Sequence, residues 1–230
     1  GAIGSYLGAK LCQLGHDVSL IARGPHLRAM QANGVMICGA DENLHVRPTV
    51  TDRCADVGVV DYVFLTVKAH GLSEIAGKLQ PLLGPETVVV SAQNGIPWWY
   101  FYKHGGPLDG RRIELLDPGG FITKSIPTDR VIGSIVYPSA SVVEPGKIMH
   151  IEGNRFSIGE LDGQKTERSK LLSEALIESG LRCPIRTRIR HDMWVKLLGN
   201  IAFNPISALT MATLDRVVSQ VQVVEGARAV

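Results

Sequence analysis

The chain has 230 residues, 45% of them hydrophobic, with 24 Lys+Arg against 22 Asp+Glu for a formal charge of +2. That balance belongs to a folded chain with a real core and excludes disordered, collagen-like and low-complexity classes. A charge so near zero argues against a general nucleic-acid binder, and the longest apolar run, Val57 to Val67, is broken by Asp61 and falls short of the roughly 20 residues of a membrane helix.

The sequence opens Gly1-Ala2-Ile3-Gly4, followed by a predicted helix from Gly4 to Leu14, a Gly15-His16-Asp17 turn and a strand from Val18 to Ala22. Read as the end of a Gly-x-Gly-x-x-Gly turn, Gly1 lets the backbone approach a pyrophosphate and Gly4 lets helix pack closely on strand. The helix N-terminus then presents its N–H groups to the phosphates. The first glycine and its strand are expected upstream of residue 1, so the chain reads as beginning inside its own motif. Where an NAD enzyme places an acidic residue after the second strand, this sequence has Arg23, with no carboxylate beside it. A guanidinium there suits a 2′-phosphate, so NADP is the expected cofactor.

A helix from Pro25 to Gln31 precedes a strand from Asp61 to Val67, whose run Tyr62 to Val67 is apolar without alternation, as in a strand buried on both faces. Next come a helix from Leu72 to Leu83, a strand from Thr87 to Ala92 and the aromatic run Trp98-Trp99-Tyr100-Phe101-Tyr102, read mainly as packing onto the sheet. Lys103 to Arg130 holds most of the Gly/Pro punctuation and reads as long loops with one short element. Strands follow at Val131 to Val136, Lys147 to Ile151 and Arg155 to Ile158, then an amphipathic helix from Thr166 to Ser179 stopped by Gly180. This alternation predicts a Rossmann-type α/β domain with a parallel sheet.

The basic stretch Arg182, Arg186, Arg188, Arg190 and His191 reads as a solvated linker, and the loop histidines His70 and His104 as bystanders. From Met193 to Thr213 the pattern turns helical. The predicted organisation is an NADP-binding domain over 1–187, lacking its first strand, and the start of an all-helical substrate and catalytic domain over 188–230. The cysteines Cys12, Cys38, Cys54 and Cys183 form no Cys-x-x-Cys pair, so neither a disulfide framework nor a metal site is expected, and a reducing, cytoplasmic location fits.

Within the last helix Lys196, Asn200, Asn204 and Ser207 recur so that, at about 100° per residue, they fall within roughly 80° of one another. Such a stripe must face water, a partner or a ligand, because an unpaired buried Lys or Asn is costly. Asn204-Pro205 is expected to kink or restart the helix.

Taken together, Gly1-Ala2-Ile3-Gly4, Arg23, Thr66-Val67-Lys68-Ala69, Gln93-Asn94-Gly95 and Lys196-x-x-x-Asn200-x-x-x-Asn204-Pro205 with Ser207-Ala208-Leu209-Thr210 resemble the ketopantoate reductases. The resemblance implies NADPH-dependent reduction of ketopantoate to pantoate, towards pantothenate and coenzyme A. It implies cofactor contacts from Gly1, Ala2, Ile3, Gly4, Arg23, Lys68, Asn94 and Ala140. Lys196 would be the proton donor, and Asn94, Asn200, Asn204 and Ser207 would contact substrate. The alternatives left standing are another 2-oxo acid reductase or β-hydroxyacid dehydrogenase, and a non-enzymatic NADP-binding sensor. The expected partner is a small-molecule 2-oxo acid, with no nucleic acid or membrane, and a homodimer is allowed. The family's sequence extends further, so the stretch is expected to be a fragment with an incomplete pocket.

Overall fold

A computed structural model describes residues 1–40 and 43–228. In chain order the first elements are α1 (Ala2–Gln13), β1 (Ser19–Ile21), α2 (Gly24–Asn33), β2 (Val35–Cys38), β3 (Asn43–Val46), β4 (Thr49–Thr51), β5 (Tyr62–Leu65), α3 (Leu72–Ala76) and β6 (Val88–Ser91). The rest are α4 (Phe121–Ser125), β7 (Val131–Val136), β8 (Ser139–Glu144), β9 (Lys147–Glu152), β10 (Phe156–Glu160), α5 (Glu167–Glu178), α6 (Ile189–Thr210), α7 (Leu214–Val218) and α8 (Val221–Arg228). The backbone divides into two compact units, Gly1–Ile189 and Arg190–Val230.

The first unit is mixed α/β. Its main sheet runs β10-β7-β6-β5, with β5, β6 and β7 parallel and β10 antiparallel to β7. The run Val88-Val89-Val90-Ser91 is buried at every position, as a central strand with both faces covered must be. The same burial is not found for β5, which is the edge of this sheet. Val63 and Leu65 are buried there while Tyr62 and Phe64 stay half-exposed.

A single parallel sheet was the expectation, and the structure adds a second four-stranded sheet, β3-β2-β9-β8, and a parallel β1–β4 pair. β8 and β9 form a hairpin closed by Pro145-Gly146, with Gly146 at φ 83°, a left-handed turn position that glycine takes at no steric cost. One core fuses the layers, drawing Tyr6, Leu7 and Ala9 from α1, Val88 and Val90 from β6, Ile148 from β9, Ile158 from β10 and Leu172 and Leu176 from α5.

One local device stands out in the punctuated stretch. The fully buried Asp117 carboxylate accepts hydrogen bonds from the Ile122 and Thr123 N–H groups (2.6 and 3.2 Å) and the Thr123 hydroxyl (2.6 Å), tying down the start of α4. The predicted Leu72–Leu83 helix divides, because after Ala76 the chain tightens into a 3₁₀ turn over Gly77–Leu82 that contains Pro81. By contrast, α6 runs without a break through Pro205, so the expected restart at Asn204 does not occur. Proline removes one N–H from the ladder there and the flanking turns carry the helix on.

Candidate active site

The site begins at the first turn of α1. Gly1 is the N-cap with no side chain to cover it, and the first turn contains no acidic residue. A Cβ built at Gly1 meets nothing within 4 Å, whereas one at Gly4 lies 2.5 Å from Thr66 Oγ1, just past β5. The turn is therefore open at Gly1 and tight at Gly4. Ala2, Ile3 and Gly4 carry N–H groups with no acceptor inside the helix. This is a cradle that fits the pyrophosphate of a dinucleotide.

Around it the loops after the parallel strands are tied together. Gln93 Nε2 donates to the Val67 carbonyl at 3.3 Å, linking the segment after β6 to the one after β5. Asn94, exposed, follows Gln93 immediately, and Gly95 takes φ 91°. Lys68 is exposed with extended backbone before a 3₁₀ turn at Ala69–Gly71. Thus Gly4, Thr66, Val67 and Gln93 form one connected set, with Lys68 and Asn94 as direct neighbours in the chain.

Arg23 lies two residues past β1 and is the N-cap of α2, with φ −141° and ψ 160°. Its side chain is 92% exposed, and the carboxylate-free surroundings expected of it are corrected by the fold. Glu74, in the first turn of α3, brings Oε2 to 3.9 Å from Arg23 Nη1. The two are remote in sequence, so no local pattern announces the pair.

His26 was not singled out by sequence and anchors the same region. Its Nδ1 accepts the Gly146 N–H at 3.0 Å, which leaves Nε2 to donate to Ser5 Oγ at 3.2 Å. Burial pushes its pKa down, consistent with a neutral ring. The first turns of α1 and α2 are thereby joined to the β8–β9 turn. Ala140 lies in β8 opposite His150 and packs half-buried against the core. It belongs to the hairpin that His26 holds.

The aromatic run splits by role. Trp98 and Trp99 are buried, and Trp99 occupies space that only a glycine at Gly133 leaves, since a Cβ there would stand 2.9 Å from the indole. Tyr100, Phe101 and His104 cluster partly exposed outside it.

In the second unit, Lys196, Asn200 and Ser207 are half-buried and Asn204 is exposed. The apolar residues Val195 and Leu198 on the same helix are more exposed, at 58% and 59%. Burial pushes the Lys196 ammonium down to about 8, because desolvation disfavours the charged form. Ser207 donates its hydroxyl to the Ala212 carbonyl at 2.6 Å, which leaves its oxygen only as an acceptor for any ligand.

Elsewhere, a hollow of about 450 Å³ lined by Asp129, Glu160 and Arg168 opens at the opposite, N-terminal edge of the parallel strands. Within it Glu160 pairs with Arg168 and Asp162 with Lys103. Among the described residues no group of three or more metal-ligating side chains occurs, and no helix is long and apolar enough to cross a membrane.

Residues 1–163 match the sequence profile of a family described as "Ketopantoate reductase PanE/ApbA". The 2-dehydropantoate 2-reductase of Mesorhizobium japonicum is 49% identical over all 230 residues of the chain, which cover 69% of that protein. The enzyme of that name from Archaeoglobus fulgidus is 28% identical, again over the full chain and 68% of its own length. The crystal structure of a candidate ketopantoate reductase from Ralstonia solanacearum superposes with a TM-score of 0.93 at 38% identity, over 98% of this chain and 70% of that one. The chain thus spans about two thirds of the length of these relatives.

Proposed function

The chain belongs to the ketopantoate reductase family, and on that premise we propose that it reduces ketopantoate to pantoate with NADPH, a step towards pantothenate and coenzyme A. The family uses a nicotinamide cofactor, and the choice of NADPH rests on Arg23, exposed just past β1 where a 2′-phosphate can be bound through the guanidinium fork. Residues 1–187 are the cofactor domain in this reading, and 188–230 open the catalytic one.

When bound, the cofactor supplies a hydride for the ketone carbon. The chain's part is to hold and to neutralise. The first turn of α1, from Gly1 to Gly4, holds the pyrophosphate, and Arg23 and Lys68 hold the adenosine phosphate. Asn94 touches both cofactor and substrate, and Ala140 lines the nicotinamide side. Asn200, Asn204 and Ser207 bind the carboxylate and hydroxyl of the substrate through neutral groups, with Ser207 as acceptor. Lys196 keeps a proton at Nζ, stabilises the charge that develops on the ketone oxygen and delivers that proton.

The observation that carries this reading is Lys196 itself. It is half-buried on a helix whose neighbouring apolar positions are exposed, with its pKa lowered to about 8, close to the pH at which it must donate. The test is NADPH consumption by the purified protein with ketopantoate, 2-oxoisovalerate and oxaloacetate. A site that binds the substrate hydroxyl favours ketopantoate in kcat/KM by at least about tenfold. Equal rates with all three, or a preference for oxaloacetate, overturn the substrate assignment.

A further inference from the structure

We propose that Glu74 sets the cofactor preference of this site: its carboxylate competes with the 2′-phosphate of NADPH for the Arg23 guanidinium. The inference rests on the assignment of Arg23 to that phosphate.

Arg23 and Glu74 come from different elements, the N-cap of α2 and the first turn of α3, yet meet at 3.9 Å. Their side chains are 92% and 66% exposed, so no packing holds them together and either can swing away. At that separation the contact is electrostatic and falls outside hydrogen-bond range. Exposed pairs of this kind are weak. A phosphate, with more charge and three acceptor oxygens, therefore displaces the carboxylate from the guanidinium. It does so at a cost, since the pair must open and Glu74 stays near the incoming anion.

The ribose of NADH presents a hydroxyl at the same place. A carboxylate accepts a hydrogen bond from that hydroxyl and repels a phosphate, the device NAD enzymes use after the second strand. This chain carries the cation on the strand end and the anion on the neighbouring helix. Arg23 rewards the phosphate while Glu74 restrains that reward, so the preference for NADPH is the difference between the two. Glu74 acts through Arg23 and is a specificity-determining residue, with no part in proton transfer.

The experiment measures dissociation constants of NADPH and NADH by fluorescence titration for the wild type, Glu74→Gln, Arg23→Ala and the double variant, at low and high salt. Glu74→Gln is expected to tighten NADPH about three- to fivefold relative to NADH. That gain falls to near zero in the Arg23→Ala background and shrinks at high salt. An unchanged NADPH/NADH ratio in Glu74→Gln, with Arg23→Ala losing NADPH selectively, overturns the role of Glu74 alone. A gain of full size without Arg23 overturns the competition. Equal loss of both cofactors in Arg23→Ala overturns the 2′-phosphate assignment and the inference with it.

Discussion

Gly4 and Thr66 stand so close that a single methyl group would not fit between them, with a Cβ at Gly4 lying 2.5 Å from the threonine hydroxyl oxygen. This contact lets the first turn of α1 descend onto the segment just past β5, the one that carries Lys68. Gly8, one turn on, shows the same closeness to Leu20 of β1, at 2.7 Å. The position of the helix and of its first turn is thus fixed by two absent side chains.

Gly4→Ala follows directly. Thr66 is β-branched and stiff, so the helix must shift rather than the side chain. The expected cost is about 1–3 kcal/mol of stability, as for other overpacked contacts. NADPH affinity should fall as well, while Gly1→Ala, where a Cβ meets nothing within 4 Å, should leave stability unchanged. Urea denaturation with cofactor titration checks both. Equal stability of Gly4→Ala and wild type would contradict the packing argument.

The Glu160–Arg168 pair supports a second prediction. Glu160 is buried, accepts from Arg168 Nε and Nη2 at 2.8 and 2.6 Å and receives the Thr166 hydroxyl. It ties the end of β10 to the start of α5. Arg168→Ala leaves a buried carboxylate short of its main partner, at a cost of about 2–3 kcal/mol given the partial exposure of the guanidinium. Adding Glu160→Gln to that variant should recover part of the loss, because the uncompensated charge is gone. Denaturant midpoints measure it, and a loss of less than about 0.5 kcal/mol, the scale of an ordinary surface pair, would contradict the account.

Parts of this arrangement were legible in the sequence for physical reasons. Val131–Val136 is predicted and found with the same bounds, because a β-branched run closed by Tyr137-Pro138 leaves few alternatives. Gly180 stops α5 with φ 79° as expected, and Thr166 caps its start, accepting from the Ser169 N–H. The short strands β2, β3, β4 and β8 escaped notice, since three to six residues are too few to carry a clear periodic signal. Tyr62–Leu65 looked like a central strand because apolar composition cannot distinguish an edge from a middle.

For the candidate site, residue types were readable and pairings were not. Gly4 announces a close approach without naming Thr66, and Arg23 announces an anion without revealing Glu74. His26 had no signal at all, because its two partners, Ser5 and Gly146, are joined only by the fold.

The central claim is that Lys196 donates the proton, and the pH dependence of turnover for wild type and Lys196→Ala tests it most directly. A donor must be protonated, and burial has lowered its pKa to about 8, so wild-type kcat is predicted to be full below that pH and to fall as pH rises through it. Lys196→Ala should lose about 10²–10⁴-fold in kcat and lack this limb, with NADPH affinity unchanged. Turnover near the wild-type level in the variant, or an alkaline limb that persists without the lysine, would contradict the account.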